Sequence, residues 1–128
     1  MTAGTTAKIL IADDFEVMRA ALCRCLNQLG FANIIACADG AEALARLRRE
    51  PDVALVISDW KMEPVDGFAL LQAVRGDDAL RGKPFILVTA ESEPGLAERA
   101  VAAGASFFMR KPFDAGALLS ALAMLGIA

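Results

Sequence analysis

The sequence contains no histidine among its 128 residues. That absence excludes a Ser-His-Asp or Cys-His nucleophile system within the chain and a zinc site with histidine ligands. It also excludes self-phosphorylation on histidine and proton shuttling through imidazole. Any chemistry must run on carboxylates, lysine, hydroxyls or thiols. Thiols are scarce: Cys23, Cys25 and Cys37 are odd in number and lack a C-x-x-C spacing. Cys23 and Cys25 stand two apart in a helical pattern, so they are expected on different faces. Reduced thiols in a cytoplasmic protein follow from this usage. A thiol nucleophile would need an electropositive pocket, which nothing in the sequence implies.

Long apolar runs are missing too. The longest uncharged stretch, Ala115 to Ala128, is too short to cross a membrane and holds two glycines. The start, Met1 to Ala7, has no basic segment followed by an apolar one, so no signal peptide is expected. Positive charge is not in excess: the net charge is -3, which argues against binding a phosphate backbone. What is plentiful is apolar side chain, at 56% of residues. That fraction builds a core, and the length predicts one domain over residues 1–128.

Short apolar runs alternate with amphipathic segments five times. Strands are predicted at Lys8–Ala12, Asn33–Cys37, Val53–Ile57, Pro84–Thr89 and Ala105–Met109. Helices are predicted at Phe15–Leu29, Ala41–Arg49, Phe68–Arg75, Pro94–Ala103 and Ala115–Leu125, from apolar residues at steps of three and four. Gly30 reads as the end of the first helix. Asp39-Gly40 reads as a turn, with Asp39 capping the second helix. Pro94 fits the first turn of the fourth helix, and Asp114 caps the last one. The third and fourth strands are apolar at nearly every position, as central parallel strands covered on both faces should be. Right-handed crossovers then predict a doubly wound (βα)5 α/β fold, flavodoxin-like, with strand order 2-1-3-4-5. Ligands bind such sheets at the carboxyl ends of the strands.

Those ends carry the chemistry. The first strand stops at Asp13-Asp14, the third at Asp59 and the fourth at Thr89; Lys111 follows the fifth. Each residue alone has an ordinary explanation as a cap, a turn residue or a solvated charge. Together they would meet on one edge of the sheet. Three neighbouring carboxylates repel and raise one another's pKa, and a hard cation such as Mg²⁺ relieves the repulsion. Asp59 could then attack phosphorus to give an acyl phosphate. Mg²⁺ and Lys111 would balance the transition-state charge, while the Thr89 hydroxyl would donate to a phosphoryl oxygen.

The chain resembles the receiver domain of two-component response regulators. The resemblance rests on Ile9-Leu-Ile-Ala-Asp-Asp14, Leu29-Gly-Phe31, Asp39-Gly40, Ile57-Ser-Asp-Trp60, Asp66-Gly67, Val88-Thr-Ala-Glu91, Gly104-Ala105 and Lys111-Pro-Phe113. It runs from about Lys8 to Leu125. It implies that Asp59 is the phosphoacceptor and that Asp13, Asp14, Asp59 and the backbone carbonyl of Lys61 surround Mg²⁺. Asp14 and Asp59 would bind directly and Asp13 through water. It implies Thr89 and Phe108 as the switch pair, Lys111 as the phosphoryl contact, and a cis Lys111–Pro112 peptide. A histidine kinase or histidine phosphotransfer protein would be the donor, and a protein target would bind the surface of helix 4, strand 5 and helix 5. Chemotaxis is one pathway such a stand-alone domain serves; a phosphotransfer intermediate or a phosphate sink are others.

Departures from the family pattern are local. Phe108 has no hydroxyl, so only a packing form of the aromatic switch is available. Phe107 should face the other side of its strand. In Lys61-Met-Glu-Pro-Val-Asp66, Glu63 stands where proline usually follows the methionine. Lys61 and Glu91, two residues after Asp59 and Thr89, have opposite charges and are expected to pair across the site mouth and hinder water. The last helix carries more leucine than one face needs: either helix 4, strand 5 and helix 5 form an apolar partner or weak homodimer surface, or alanines simply cover the outer face. A haloacid dehalogenase-like phosphohydrolase would want a second aspartate where Lys61 stands. A flavodoxin would want a hydroxyl- and glycine-rich loop in place of Asp13-Asp14. A domain that only docks partners would not need the full acidic set.

Overall fold

The computed structural model describes residues 6–127. Residues 1–5 of the Met1–Ala7 start, where no signal peptide is expected, and the final Ala128 lie outside them. The chain runs β1 (Lys8–Ala12), α1 (Glu16–Gln28), β2 (Ile34–Cys37), α2 (Gly40–Arg49), β3 (Val53–Asp59), α3 (Gly67–Arg75), β4 (Phe85–Thr89), α4 (Leu96–Ala102), β5 (Phe107–Arg110) and α5 (Ala115–Met124). All neighbouring strands are parallel, in the order β2-β1-β3-β4-β5. The doubly wound fold expected from the alternation is therefore the one observed.

Strand periodicity divides the core in two. Leu10, Val56 and Leu87 face a layer built with Leu47, Leu70, Val74, Leu96 and Ala100 from α2, α3 and α4. Ile9, Ile11, Ile57 and Val88 face the opposite layer, closed by Leu26, Leu118 and Leu122 from α1 and α5. Successive strand residues point to opposite faces, and both faces are covered, so the central strands must be apolar throughout. Cys23 and Cys25 both pack against the second layer. Cys25 does so beside Pro112 and Phe113, and both thiols are half-buried.

Most helix starts follow the expected capping chemistry. The side chains of Asp39, Asp66 and Asp114 accept from the backbone N–H three residues on. The fourth helix differs. It begins at Leu96, not Pro94, because Gly95 adopts φ 85° and breaks the helical path before it. Only glycine enters that region without cost. No helix among the described residues is long and apolar enough to cross a membrane.

Candidate functional site

Strand register assembles the site. Ala12 pairs with Ser58, Asp59 with Val88, and Thr89 with Arg110. The next residue in each strand direction therefore sets Asp13 beside Asp59, and Lys111 just beyond Thr89. Parallel strands end on one side of the sheet, so residues almost a hundred positions apart meet there.

Asp13, Asp14 and Asp59 present carboxylate oxygens within 4.8 Å of one another. Asp13 is buried, Asp59 half-buried and Asp14 exposed. The Lys111 ammonium reaches two of them, 2.9 Å from Asp13 Oδ2 and 3.3 Å from Asp59 Oδ1. The other Asp13 oxygen, Oδ1, accepts from the Phe15 N–H at 3.0 Å. Arg19 donates to the Asp13 carbonyl at 2.7 Å. With its N–H also donating to the Cys37 carbonyl at 3.1 Å, Asp13 is held at four atoms while Asp14 faces solvent.

Burial pushes the Asp59 carboxyl above its ordinary pKa; Lys111 opposes the shift and Asp13 adds to it. Burial also disfavours the Lys111 charge, but its hydrogen bonds and attraction to Asp13 and Asp59 outweigh this and hold its pKa above the ordinary lysine value. One ammonium faces two carboxylates, with a third nearby. The donor set is all oxygen and carries excess negative charge, which is what a hard divalent cation requires.

The remaining predicted residues are at the same edge. Thr89 is buried, and its Oγ1 accepts from the Glu91 N–H at 3.0 Å. Among the described residues no hydrogen bond ties that hydroxyl to the carboxylates. Lys61 pairs with Glu91, Nζ to Oε1 at 3.1 Å, as their opposite charges predict. Phe108 is half-buried and meets Trp60 edge-on at 6.3 Å between centroids, while Phe107 packs into the other core layer. Lys111–Pro112 is cis, and so is Glu63–Pro64, where the proline is displaced by one position. The thiols stay out of this chemistry: burial raises Cys23 and Cys25, and pushes Cys37 up to about 11.

The supporting roles of three residues escaped the sequence reading. Ser58 is fully buried, and its Oγ donates to the Asp59 carbonyl at 2.9 Å. The Gly67 N–H donates to the Trp60 carbonyl at 2.8 Å. A Cβ on Gly67 would lie 2.0 Å from the Asp59 carbonyl oxygen. Arg19 is the third. Only Gly67 left a signal, as the glycine after a helix-capping aspartate; serine and arginine at the other two positions are ordinary.

Comparison with known proteins agrees with this geometry. Residues 9–123 match the family model described as the response regulator receiver domain. The chain is 39% identical over 111 residues to the chemotaxis protein CheY of Pseudomonas aeruginosa, covering 87% of this chain and 89% of that one. It is 38% identical over 111 residues to chemotaxis protein CheY-3 of Vibrio cholerae, covering 87% and 85%. Among solved structures, the chemotaxis response regulator CheY4 of Vibrio cholerae superposes with a TM-score of 0.84 at 31% identity, covering 94% of this chain and 98% of that one.

Proposed function

Since the chain belongs to the response regulator receiver domain family, we propose that it is a phosphorylation switch whose acceptor is Asp59. The observation that carries this reading is the Lys111 ammonium set between Asp13 and Asp59 in a cluster of three carboxylates. An Asp59 oxygen attacks the phosphorus of a donor phosphohistidine. The P–N bond breaks as the new P–O bond forms, and the imidazole leaves with the electron pair and takes up a proton. The chain has no histidine, so that imidazole belongs to a histidine kinase or histidine phosphotransfer protein. Lys111 moves its contact from the carboxylate pair to the transferred group and offsets charge on its equatorial oxygens. Asp13, Asp14, Asp59 and the Lys61 carbonyl would hold Mg²⁺, which supplies further charge neutralisation at phosphorus.

Resetting is hydrolysis: water attacks phosphorus, phosphate leaves, and the Asp59 carboxylate returns. The domain thereby catalyses its own phosphorylation and dephosphorylation. The Lys61–Glu91 pair lies across the site mouth and slows the approach of water. Thr89 turns its hydroxyl from the Glu91 N–H toward the phosphoryl group, and Phe108 reads that shift by packing. The output surface is α4, β5 and α5, where Val101, Leu119 and Met124 are exposed, and similarity to chemotaxis proteins supports chemotaxis as the pathway over a phosphotransfer intermediate or a phosphate sink. A cytoplasmic location fits three unpaired thiols. The test is mass spectrometry after incubation with acetyl phosphate and Mg²⁺. One added phosphoryl group on Asp59 is expected; none, or one on another residue, defeats the reading.

A further inference from the structure

Trp60 follows Asp59 directly and is the only tryptophan in the chain. It is 7% exposed. Its backbone is fixed on both sides: the N–H donates to the Val88 carbonyl at 2.7 Å, and the carbonyl accepts from the Gly67 N–H at 2.8 Å. Its indole lies on the Phe68 ring, with centroids 5.1 Å apart and planes 18° from parallel. The Arg99 guanidinium, from α4, sits over both rings, 5.3 Å from the Trp60 centroid and 5.0 Å from that of Phe68. Glu91 and Glu93 line the same cavity of about 160 Å³ as Arg99. Glu91 nevertheless pairs with Lys61, and among the described residues Arg99 has no ion pair. Its charge is committed to the aromatic faces.

We propose that Arg99 is a positioning residue for Asp59: from α4 it clamps Trp60, and through Trp60 it fixes the strand end that bears the acceptor carboxylate. The proposal rests on the reading of Asp59 as acceptor, but the clamp itself does not. The physical argument is one of leverage. Asp59 ends β3, and beyond it the chain leaves the sheet. Its carboxylate keeps its place beside Asp13 only if the next residue is anchored. The two backbone hydrogen bonds and the indole together anchor it, and Arg99 closes over the indole from α4. Coupling is reciprocal, so a change at Asp59 that moves Trp60 also acts on α4, with Arg99 as the contact between them.

Two substitutions separate charge from packing. R99M keeps an unbranched apolar stem and removes the cation; R99K restores a cation. Loss of an exposed cation–π contact is expected to slow acetyl phosphate labelling of Asp59 by about 2- to 5-fold in R99M. R99K should recover most of the wild-type rate. Quenching of Trp60 fluorescence by acrylamide, without any phosphodonor, should rise in R99M and fall back in R99K. Labelling of R99M at the wild-type rate overturns the proposal, whatever the fluorescence does. So does a slow R99M that R99K does not improve. If the wild-type protein takes no label, the acceptor reading falls. Amide hydrogen exchange at Asp59 and Trp60 then decides the clamp: faster exchange in R99M supports it, and unchanged exchange overturns it.

Discussion

The two ends of the sheet carry similar charges and use them in opposite ways. At the end where strands begin, Lys8 pairs with Glu50 at 3.2 Å and with Asp52 at 2.9 Å, and Arg46 adds a second cation to Glu50 at 2.7 Å. Arg75 and Lys83 donate to carbonyls of Gly104, Pro51 and Val53 and so close loops. Hydrogen bonds from Arg46 and Lys8 hold Glu50 below the ordinary carboxylate pKa, and Lys8 does the same to Asp52. At the end where strands finish, a single ammonium serves two carboxylates beside a third. There burial drives Asp59 the other way. Matched charges stabilise a fold; an unmatched set held together by that fold stores free energy that a cation can release.

Glycine substitutions give the sharpest contrast between the ends. Gly67→Ala would force a methyl group to within 2.0 Å of the Asp59 carbonyl oxygen. We expect a loss of about 3 kcal/mol in urea unfolding, with Asp59 displaced. Gly82, near the opposite end, has nothing within 4 Å of a built Cβ. Gly82→Ala should change stability by less than about 0.5 kcal/mol. Equal losses at both positions would erase the distinction.

The second contrast is electrostatic. A carboxylate whose pKa is raised by folding binds its proton more tightly in the native state. Its stabilising effect is therefore present at low pH and lost as pH rises through the raised value. Asp59→Asn removes that loss, so the variant should be more stable than wild type by about 1 kcal/mol at neutral pH, with the gain shrinking toward pH 4. Urea midpoints across that range would show it; a variant less stable than wild type at pH 7 contradicts it. Glu50→Gln should do the reverse on a smaller scale. The Glu50 pKa is lowered by folding, so its contribution is present above the ordinary carboxylate value and fades as pH falls through the lowered one. The variant should be slightly weaker at neutral pH and level with wild type in acid, because half-buried pairs at the surface still contribute little.

Much of this was legible in the residues. Val53-Ala-Leu-Val-Ile57 and Phe85-Ile-Leu-Val88 announced buried central strands, since both faces of such a strand meet apolar helices. Aspartates at strand ends announced the acidic cluster once the strands were taken as parallel. Other features stayed hidden because their partners are remote in sequence. Asp39-Gly40 looked like a turn. Gly40 instead opens α2 and is glycine for want of space, as a Cβ would lie 2.6 Å from the Val65 carbonyl oxygen. Pro94 looked like a first-turn proline until Gly95 took a left-handed conformation. Nothing local marks Arg99 as the residue that lies over Trp60.

By itself the sequence determined the order of elements, the two-sided burial of the sheet, and which carboxylates stand at strand ends. These depend on periodicity and on residues adjacent in the chain. Only the tertiary structure decided that Lys111 bridges Asp13 and Asp59, that Ser58 donates to the Asp59 carbonyl while Gly67 leaves it room, and that Arg99 closes over the indole beside it. Those contacts are set by strand register and by the depth at which each helix settles on the sheet. Both are outcomes of packing the whole core at once, and no short stretch of chain contains them.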